Sequence, residues 1–281
     1  MVTLPPEPAR PDTPEPHRYR QMAESFGVDS ARYDRTRQPY PEALIKRIAA
    51  ASPGPGPEIL DVGCGTGIAA RQFRTEGCTV LGVEPDPRMA DFARNTGIPV
   101  ETATFETWDP ATRTFDAVIA GTAWHWVDPD QGIPKLAKLL RPNGRFAAFW
   151  HIFEPPAAVQ EVITAAFRRV LADQTPPDAT AVLRGAGSAR HAYDTFVTRV
   201  ADQLRATGQF TEPEEWRHTW QRPYTRDEYL DQIPTMGAFT RLQPTQLEQL
   251  LTAAGKAIDQ QGGTFTMDYT TLAITAARNH E

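Results

Sequence analysis

The chain is poor in sulfur chemistry, in long apolar runs and in excess positive charge. Its 281 residues include two cysteines, Cys64 and Cys78. They form neither a metal-ligand spacing nor a disulfide framework, so no thiolate-held metal is expected. No hydrophobic stretch reaches the length of a membrane span and no secretory apolar segment is visible, which leads us to expect a cytoplasmic protein with no membrane partner. Lys and Arg number 29 against 35 Asp and Glu, for a net charge of −6. A general nucleic-acid partner would need a basic face to neutralise phosphates, so none is expected. No internal repeat is visible.

What the chain does have is proline at its start and glycine at one decisive turn. Residues 1–16 hold six prolines and little that is apolar, a composition that suits a disordered or polyproline-like tail outside the fold. The rest, in a chain 40% hydrophobic and 23% charged, has the make-up of a protein with a sizeable core. The stretch Glu58-Ile-Leu-Asp-Val-Gly-Cys-Gly-Thr-Gly-Ile-Ala-Ala70 organises it. Ile59, Leu60 and Val62 form an apolar run too short for a helix, which reads as a buried parallel strand. Gly63, Gly65 and Gly67 then allow positive φ and strip away side chains, so a tight turn can carry a ligand on bare backbone before a helix starts at Ile68.

Such a turn serves either a dinucleotide or another adenosine cofactor. The glycines alternate as G-x-G-x-G directly after Asp61, whereas a dinucleotide site would read G-x-G-x-x-G. That spacing disfavours NAD. Asp61 would repel a pyrophosphate, yet it can accept hydrogen bonds from an ammonium group. Glu84 closes the run Thr79–Val83, where a carboxylate can accept both hydroxyls of an adenosine ribose. Asp61-Val-Gly-Cys-Gly-Thr-Gly67 with Val83-Glu-Pro-Asp86 resembles the class I S-adenosylmethionine-dependent methyltransferases, and the resemblance extends over most of residues 26–277.

Strand, helix, strand, helix from residue 58 onward is the alternation of a doubly wound sheet. Helices are expected near 69–76, 87–95 and 130–140, and strands at 79–84, 100–103, 115–120 and 146–150, with Arg141-Pro-Asn-Gly144 as the turn into the last. The fold class expected is α/β: a Rossmann-like, seven-stranded, mostly parallel sheet with helices on both faces, an antiparallel final strand and a helical insertion forming a cap. The divisions are 1–16 as tail, 17–52 as helices closing over the cofactor, 53–151 as the cofactor-binding core, 152–210 as cap and 211–281 completing the sheet. In the 17–52 segment Met22 and Phe26 share a face, and Asp29 can cap a helix carrying Tyr33 and Arg37. The cap has two helical stripes, Val159 to Val170 and Tyr193 to Leu204, with Pro176-Pro177 and a Gly185–Gly187 loop between them. Thr225-Arg-Asp-Glu228 is a capping box, and Trp216, His218 and Trp220 alternate as on a strand.

The resemblance implies site residues. Besides Asp61, Gly63, Cys64, Gly65, Gly67 and Glu84, it assigns Pro85, Met89, Thr104 and Phe105 to the cofactor; a family member often has Asp where Thr104 stands. Tyr33 and Arg37 would contact the methionine end or the acceptor, since a guanidinium pairs with a carboxylate and a phenol can donate to it. Gly121 and Thr122, at the carboxyl end of a central strand where open α/β sheets bind ligands, leave room for the sulfonium. Trp124-His-Trp-Val-Asp128 resembles the branch that includes trans-aconitate methyltransferases and many bacterial natural-product enzymes. His125 is the candidate general base, alongside Tyr33 as a catalytic group, and Trp124, Trp126, Trp150 and His151 are candidate walls of the acceptor pocket.

The implied reaction moves a methyl group from S-adenosyl-L-methionine to a small molecule and leaves S-adenosyl-L-homocysteine. Indole walls suit an aromatic or indole-type natural product methylated at C, N or O with base assistance. Two alternatives stand beside it. A carboxylate acceptor of the trans-aconitate type would need no base, and His125 would then only shape the pocket. A regulator that binds the cofactor without turnover would keep the same fold.

Overall fold

The structure, a computed structural model, describes residues 25–170, 186–237, 239–240 and 242–280. The proline-rich tail, the start of the helical stretch expected from His17 with its Met22, and Pro176-Pro177 lie outside those residues; Phe26, expected to share a face with Met22, stands in a 3-10 turn, Phe26–Asp29.

The chain forms a seven-stranded sheet in the order β3-β2-β1-β4-β5-β7-β6. Its strands are β1 Glu58–Val62, β2 Thr79–Glu84, β3 Val100–Thr102, β4 Phe115–Gly121, β5 Leu140–Glu154, β6 Glu214–Thr225 and β7 Thr264–Ala277. The first five pair in parallel, and β7 runs antiparallel between β5 and β6. The side-chain period of two sorts β1 and β4 onto both faces. Leu60, Val62, Val118 and Ala120 pack on one side, Ile59, Ala117 and Ile119 on the other. Burial on both faces is why these strands read as continuous apolar runs instead of alternating ones.

Helices α1 Ser30–Thr36, α2 Glu42–Ala50, α3 Ile68–Thr75 and α4 Pro87–Asn95 follow one another through the first half. Leu44, Ile48, Ala70, Phe73, Ala90 and Ala93 from the last three fill the core on the Ile59 face. On the opposite face lie α5 Pro129–Leu139 and the C-terminal half of α7 Ala186–Thr207, with Ile133, Leu136, Val197, Val200 and Leu204 in one cluster. The cap expected over 152–210 therefore divides. Its second helix lies against the sheet, and it begins at Ala186, where a Gly185–Gly187 loop was expected; Gly185 itself lies outside the described residues. Its first helix, α6 Ala157–Val170, joins α8 Arg226–Gln232 and α9 Pro244–Gln260 around Tyr224, Phe265, Met267 and Tyr269 in a separate core.

That separate core exists because β5 does not stop at Trp150. It continues to Glu154, since β7 offers a hydrogen-bonding partner at every step from Arg145 to Glu154. Arg141–Gly144 is a bulge within the strand: Phe115 pairs with Leu140 and Ala117 with Arg145, and Asn143 takes φ +61°.

The capping box is present. The Thr225 hydroxyl accepts from the Glu228 amide at 3.3 Å, and the Glu228 carboxylate accepts from the Thr225 amide at 2.8 Å. Thr225→Ala should lower the stability of this region by about 1 kcal/mol, read as a shift of the urea midpoint at unchanged m-value.

Candidate active site

Gly63, Gly65 and Gly67 sit at φ +65°, +55° and +86°, a region that β-carbons disfavour. Gly63 has a second constraint, because a Cβ there would stand 2.6 Å from the Ala123 methyl. The turn is held by the Gly63 amide donating to the Val83 carbonyl at 2.8 Å and the Gly67 amide to the Cys64 carbonyl at 2.9 Å. Beside Gly65 nothing stands where a Cβ would project, so backbone faces open space there.

Two carboxylates border this cradle in different states. Glu84 accepts the Gly65 amide at 2.9 Å and the Asp86 amide at 2.9 Å, so it ties the end of β2 to the glycine turn. Burial raises its pKa to about 7 against those two bonds. Each oxygen keeps a second lone pair for a hydroxyl. Asp61 is 1% exposed, and neither of its oxygens has a hydrogen-bond partner among the described residues. Burial, with the Glu84 charge adding to it and the nearby Ala70 amide only partly opposing it, lifts its pKa to about 8. Unpartnered buried carboxylates are costly, and a cationic group is what Asp61 lacks.

Over the cradle lies the N-terminal segment. The Asp29 carboxylate caps α1 by accepting the Arg32 amide at 2.9 Å. Asp34 pairs with Arg71 at 2.6 Å, and Arg71 also donates to the Thr66 carbonyl at 2.7 Å, which fastens the segment to the glycine turn. Asp231 on α8 receives Arg35 at 2.8 Å and Arg32 at 3.2 Å. Tyr33 and Arg37 are together as expected, the guanidinium 4.8 Å from the ring centroid. Arg37 also donates to the Thr235 carbonyl, and its Nε is buried without a partner among the described residues. A Cβ on Gly27 would overlap the Asp86 carboxylate, so the segment lies tightly against α4.

Tyr40 is the residue the sequence reasoning missed. Its backbone is clamped by Gln72, which accepts from its amide at 2.9 Å and donates to its carbonyl at 2.8 Å. Its hydroxyl meets the Thr122 hydroxyl at 2.9 Å and lies 2.8 Å from where a Cβ on Gly121 would be. Thr122 holds φ +55°, with its amide donating to the Phe149 carbonyl at 2.7 Å. Burial pushes the Tyr40 hydroxyl far above the usual phenol range, so it stays protonated. The available signal was Pro39-Tyr-Pro41, a tyrosine whose backbone is restricted from both sides.

The remaining expected residues separate. Met89 is buried in α4 and Pro85 is exposed. The Thr104 hydroxyl bonds Thr107 at 2.9 Å, and the Phe105 ring is in the core against Trp124. Trp124 is itself core, packed 4.7 Å from Phe146 at 2% exposure, so it is no pocket wall. The single turn Trp124–Trp126 turns Trp124 inward and leaves His125 and Trp126 partly exposed. Trp150 is fully buried and donates its indole N–H to His125 Nδ1 at 3.1 Å. His151, the next residue along the strand, points to the opposite face, where it stacks on Tyr40 at 4.6 Å and bonds the Thr271 hydroxyl at 2.9 Å. Sharing an edge with His125 therefore does not bring His151 to it. Burial lowers both imidazoles to about 4. Phe196 and Tyr193 of α7, which helical spacing marks only as packing, come to Trp150 at 5.2 and 6.3 Å, and Phe196 also meets His125 at 6.2 Å.

Residues 60–148 match the family described as methyltransferase domain. An uncharacterized methyltransferase of Mycobacterium tuberculosis is 36% identical over 135 residues, 47% of this chain and 54% of that protein. A Saccharomyces cerevisiae protein named for S-adenosylmethionine-dependent methyl transfer is 27% identical over 136 residues, 45% of this chain and 46% of the relative. The chain spans about half the length of these curated relatives. A solved structure from Anaeromyxobacter dehalogenans, titled a type II methyltransferase, superposes with TM-score 0.59 at 24% identity, over 87% of this chain and 99% of the other. That likeness is one of fold.

Proposed function

We propose that the protein, whose residues 60–148 match a methyltransferase domain, transfers a methyl group from S-adenosyl-L-methionine to a small aromatic or indole-type molecule. The observation that carries this reading is Asp61, a buried carboxylate with no cationic partner among the described residues, at the foot of a bare glycine turn. The methionine ammonium of the donor is the cation that would satisfy it. Arg37, with its unpartnered Nε beside Tyr33, suits the methionine carboxylate. Glu84 has lone pairs left for the ribose hydroxyls, and Met89 with the Thr104 segment would flank the adenine. When bound, the donor supplies an electrophilic methyl carbon on a sulfonium.

The chain's own contribution is placement. Tyr40 and Thr122 fix each other's hydroxyls, and the absence of a side chain at Gly121 lets the Tyr40 and Phe149 rings close against the end of β4. Holding an acceptor in line behind the methyl carbon, with water excluded, supplies several kcal/mol, on the order of the range for proximity effects. Trp126, Phe196 and Tyr193 offer the aromatic surface on which a flat acceptor would lie. The −6 charge supports a small molecule over nucleic acid, and we place the reaction in the cytoplasm. Incubating the protein with S-adenosylmethionine and a panel of indoles, phenols and aromatic acids should release S-adenosylhomocysteine above the acceptor-free rate. Tight binding of the donor with no release from any acceptor would assign a non-catalytic binder instead.

A further inference from the structure

His125 and Trp150 fix one another in a way that bears on the acceptor. An indole nitrogen has a proton to give and no lone pair to offer. With Trp150 Nε1 3.1 Å from His125 Nδ1, Nδ1 must be the bare nitrogen of the ring, and the proton of the neutral imidazole is on Nε2. No hydrogen bond to Nε2 exists among the described residues. Trp150, Trp126 and Phe196 stand against the ring, with Tyr193 beyond Trp150. Enclosure by these rings, with only part of the side chain open to solvent, lowers the imidazole pKa, and no charged group among the described residues contributes to it.

We propose that Trp150 is a positioning residue that locks His125 as a hydrogen-bond donor, and that the acceptor is an aromatic molecule whose nucleophilic oxygen arrives already ionised. The proposal rests on the methyl-transfer reading and narrows it, and it reverses the expectation that His125 is a general base. To act as a base, His125 would have to take the proton on Nδ1. That expels the Trp150 N–H, leaves a buried donor unsatisfied and creates an imidazolium among aromatic rings. An anionic acceptor needs none of this. A lone pair on its oxygen forms the new C–O bond while the C–S bond breaks and its electron pair passes to sulfur. Cation and anion become two neutral products, and no proton moves. His125 Nε2–H meanwhile holds the anion in register.

The test starts without any acceptor. Long-range proton–nitrogen NMR of histidine-labelled protein should show His125 as the Nε2–H tautomer, unprotonated from pH 8 down to pH 5. The Nδ1–H tautomer, or a titration near the ordinary histidine value, would overturn the lock. Trp150→Phe should convert His125 to mixed tautomers, and an unchanged pattern would also overturn it. Should that variant fail to fold, the Trp150 indole proton in the wild type takes its place: it should exchange slowly and move in His125→Gln, and a fast-exchanging, unmoved signal counts against the proposal. On the acceptor found by the release assay, His125→Gln, which keeps a donor at similar reach, should retain kcat/KM within about tenfold. His125→Ala should lose about 10- to 100-fold, the range of a hydrogen bond to a charged group. Equal collapse of both variants, or an acceptor methylated at a neutral oxygen, nitrogen or carbon, would sink it. No release from any acceptor would instead defeat methyl transfer itself, while the tautomer measurement stands on its own.

Discussion

Asp61→Asn should weaken S-adenosylhomocysteine binding by about 10²- to 10³-fold and leave the unliganded protein at least as stable as the wild type. The binding loss follows from removing one partner of a buried charge pair, which costs about 2–5 kcal/mol, and 1.4 kcal/mol is tenfold. The stability claim follows from the sign of the pKa shift. Asp61 stands at about 8 in the folded chain against an ordinary value of 3.8, so the folded state binds the proton more tightly than the unfolded state does. Its stabilising contribution is complete below about pH 4 and is lost as pH rises through 8. At pH 8 the wild-type chain holds a carboxylate that burial disfavours, and Asn has a similar shape with no charge to desolvate. Calorimetric titration and thermal unfolding at pH 8 measure both quantities. Undiminished affinity, or a lower melting temperature for the unliganded variant, would remove Asp61 from the ammonium site.

The cradle was legible in the sequence because its chemistry is local. A five-residue strand, three glycines and the carboxylate closing the next strand are read within 27 residues, from 58 to 84, and backbone sterics leave few alternatives for glycine at positive φ. The same holds for the Thr225 box, whose two hydrogen bonds span three residues. The acceptor side was legible only as a composition. Trp124, His125 and Trp126 are adjacent in sequence, and their directions depend on a single tight turn that sends the first ring into the core and leaves the next two near the surface. Trp150 and His151 are likewise adjacent, and the strand period puts them on opposite faces. Phe105 carries no local sign that its ring packs on Trp124.

What holds the N-terminal segment in place was hidden for a different reason. Arg37 reaches the Thr235 carbonyl across 198 residues, and Arg35 reaches Asp231 across 196. No pattern within the N-terminal segment records a partner that distant. The connection depends on β6 and β7 continuing beyond the central sheet, so that α8 and the turn Ile233–Thr235 come to lie beside α1. The surface pairs in this junction are individually weak. The buried end, where Tyr40 is clamped by Gln72 and joined to Thr122, is more sheltered from solvent and fixes the Tyr40 hydroxyl at the end of β4.

Affinity for S-adenosylhomocysteine should rise about 50-fold between pH 6 and pH 8. If the ammonium binds the ionised form of Asp61, whose pKa is about 8, the competent fraction is about one in a hundred at pH 6 and one in two at pH 8. Glu84, at about 7, does not enter this figure, because a neutral carboxyl also keeps acceptor lone pairs for the ribose hydroxyls. Binding at pH 6 must therefore release about one proton, and calorimetric heats should differ between buffers in proportion to their ionisation enthalpies. The two buried acids also make the unliganded protein lose stability as pH rises through 7 and 8, so the rise in melting temperature on adding ligand should grow over the same interval. Above pH 8 the gain should level off, because Asp61 is then mostly ionised and at most a further twofold remains. Asp61→Asn separates this account from a general acid weakening of the fold: the variant should bind weakly with most of the pH dependence gone. A variant that kept the full 50-fold slope would show that the titrating group lies elsewhere.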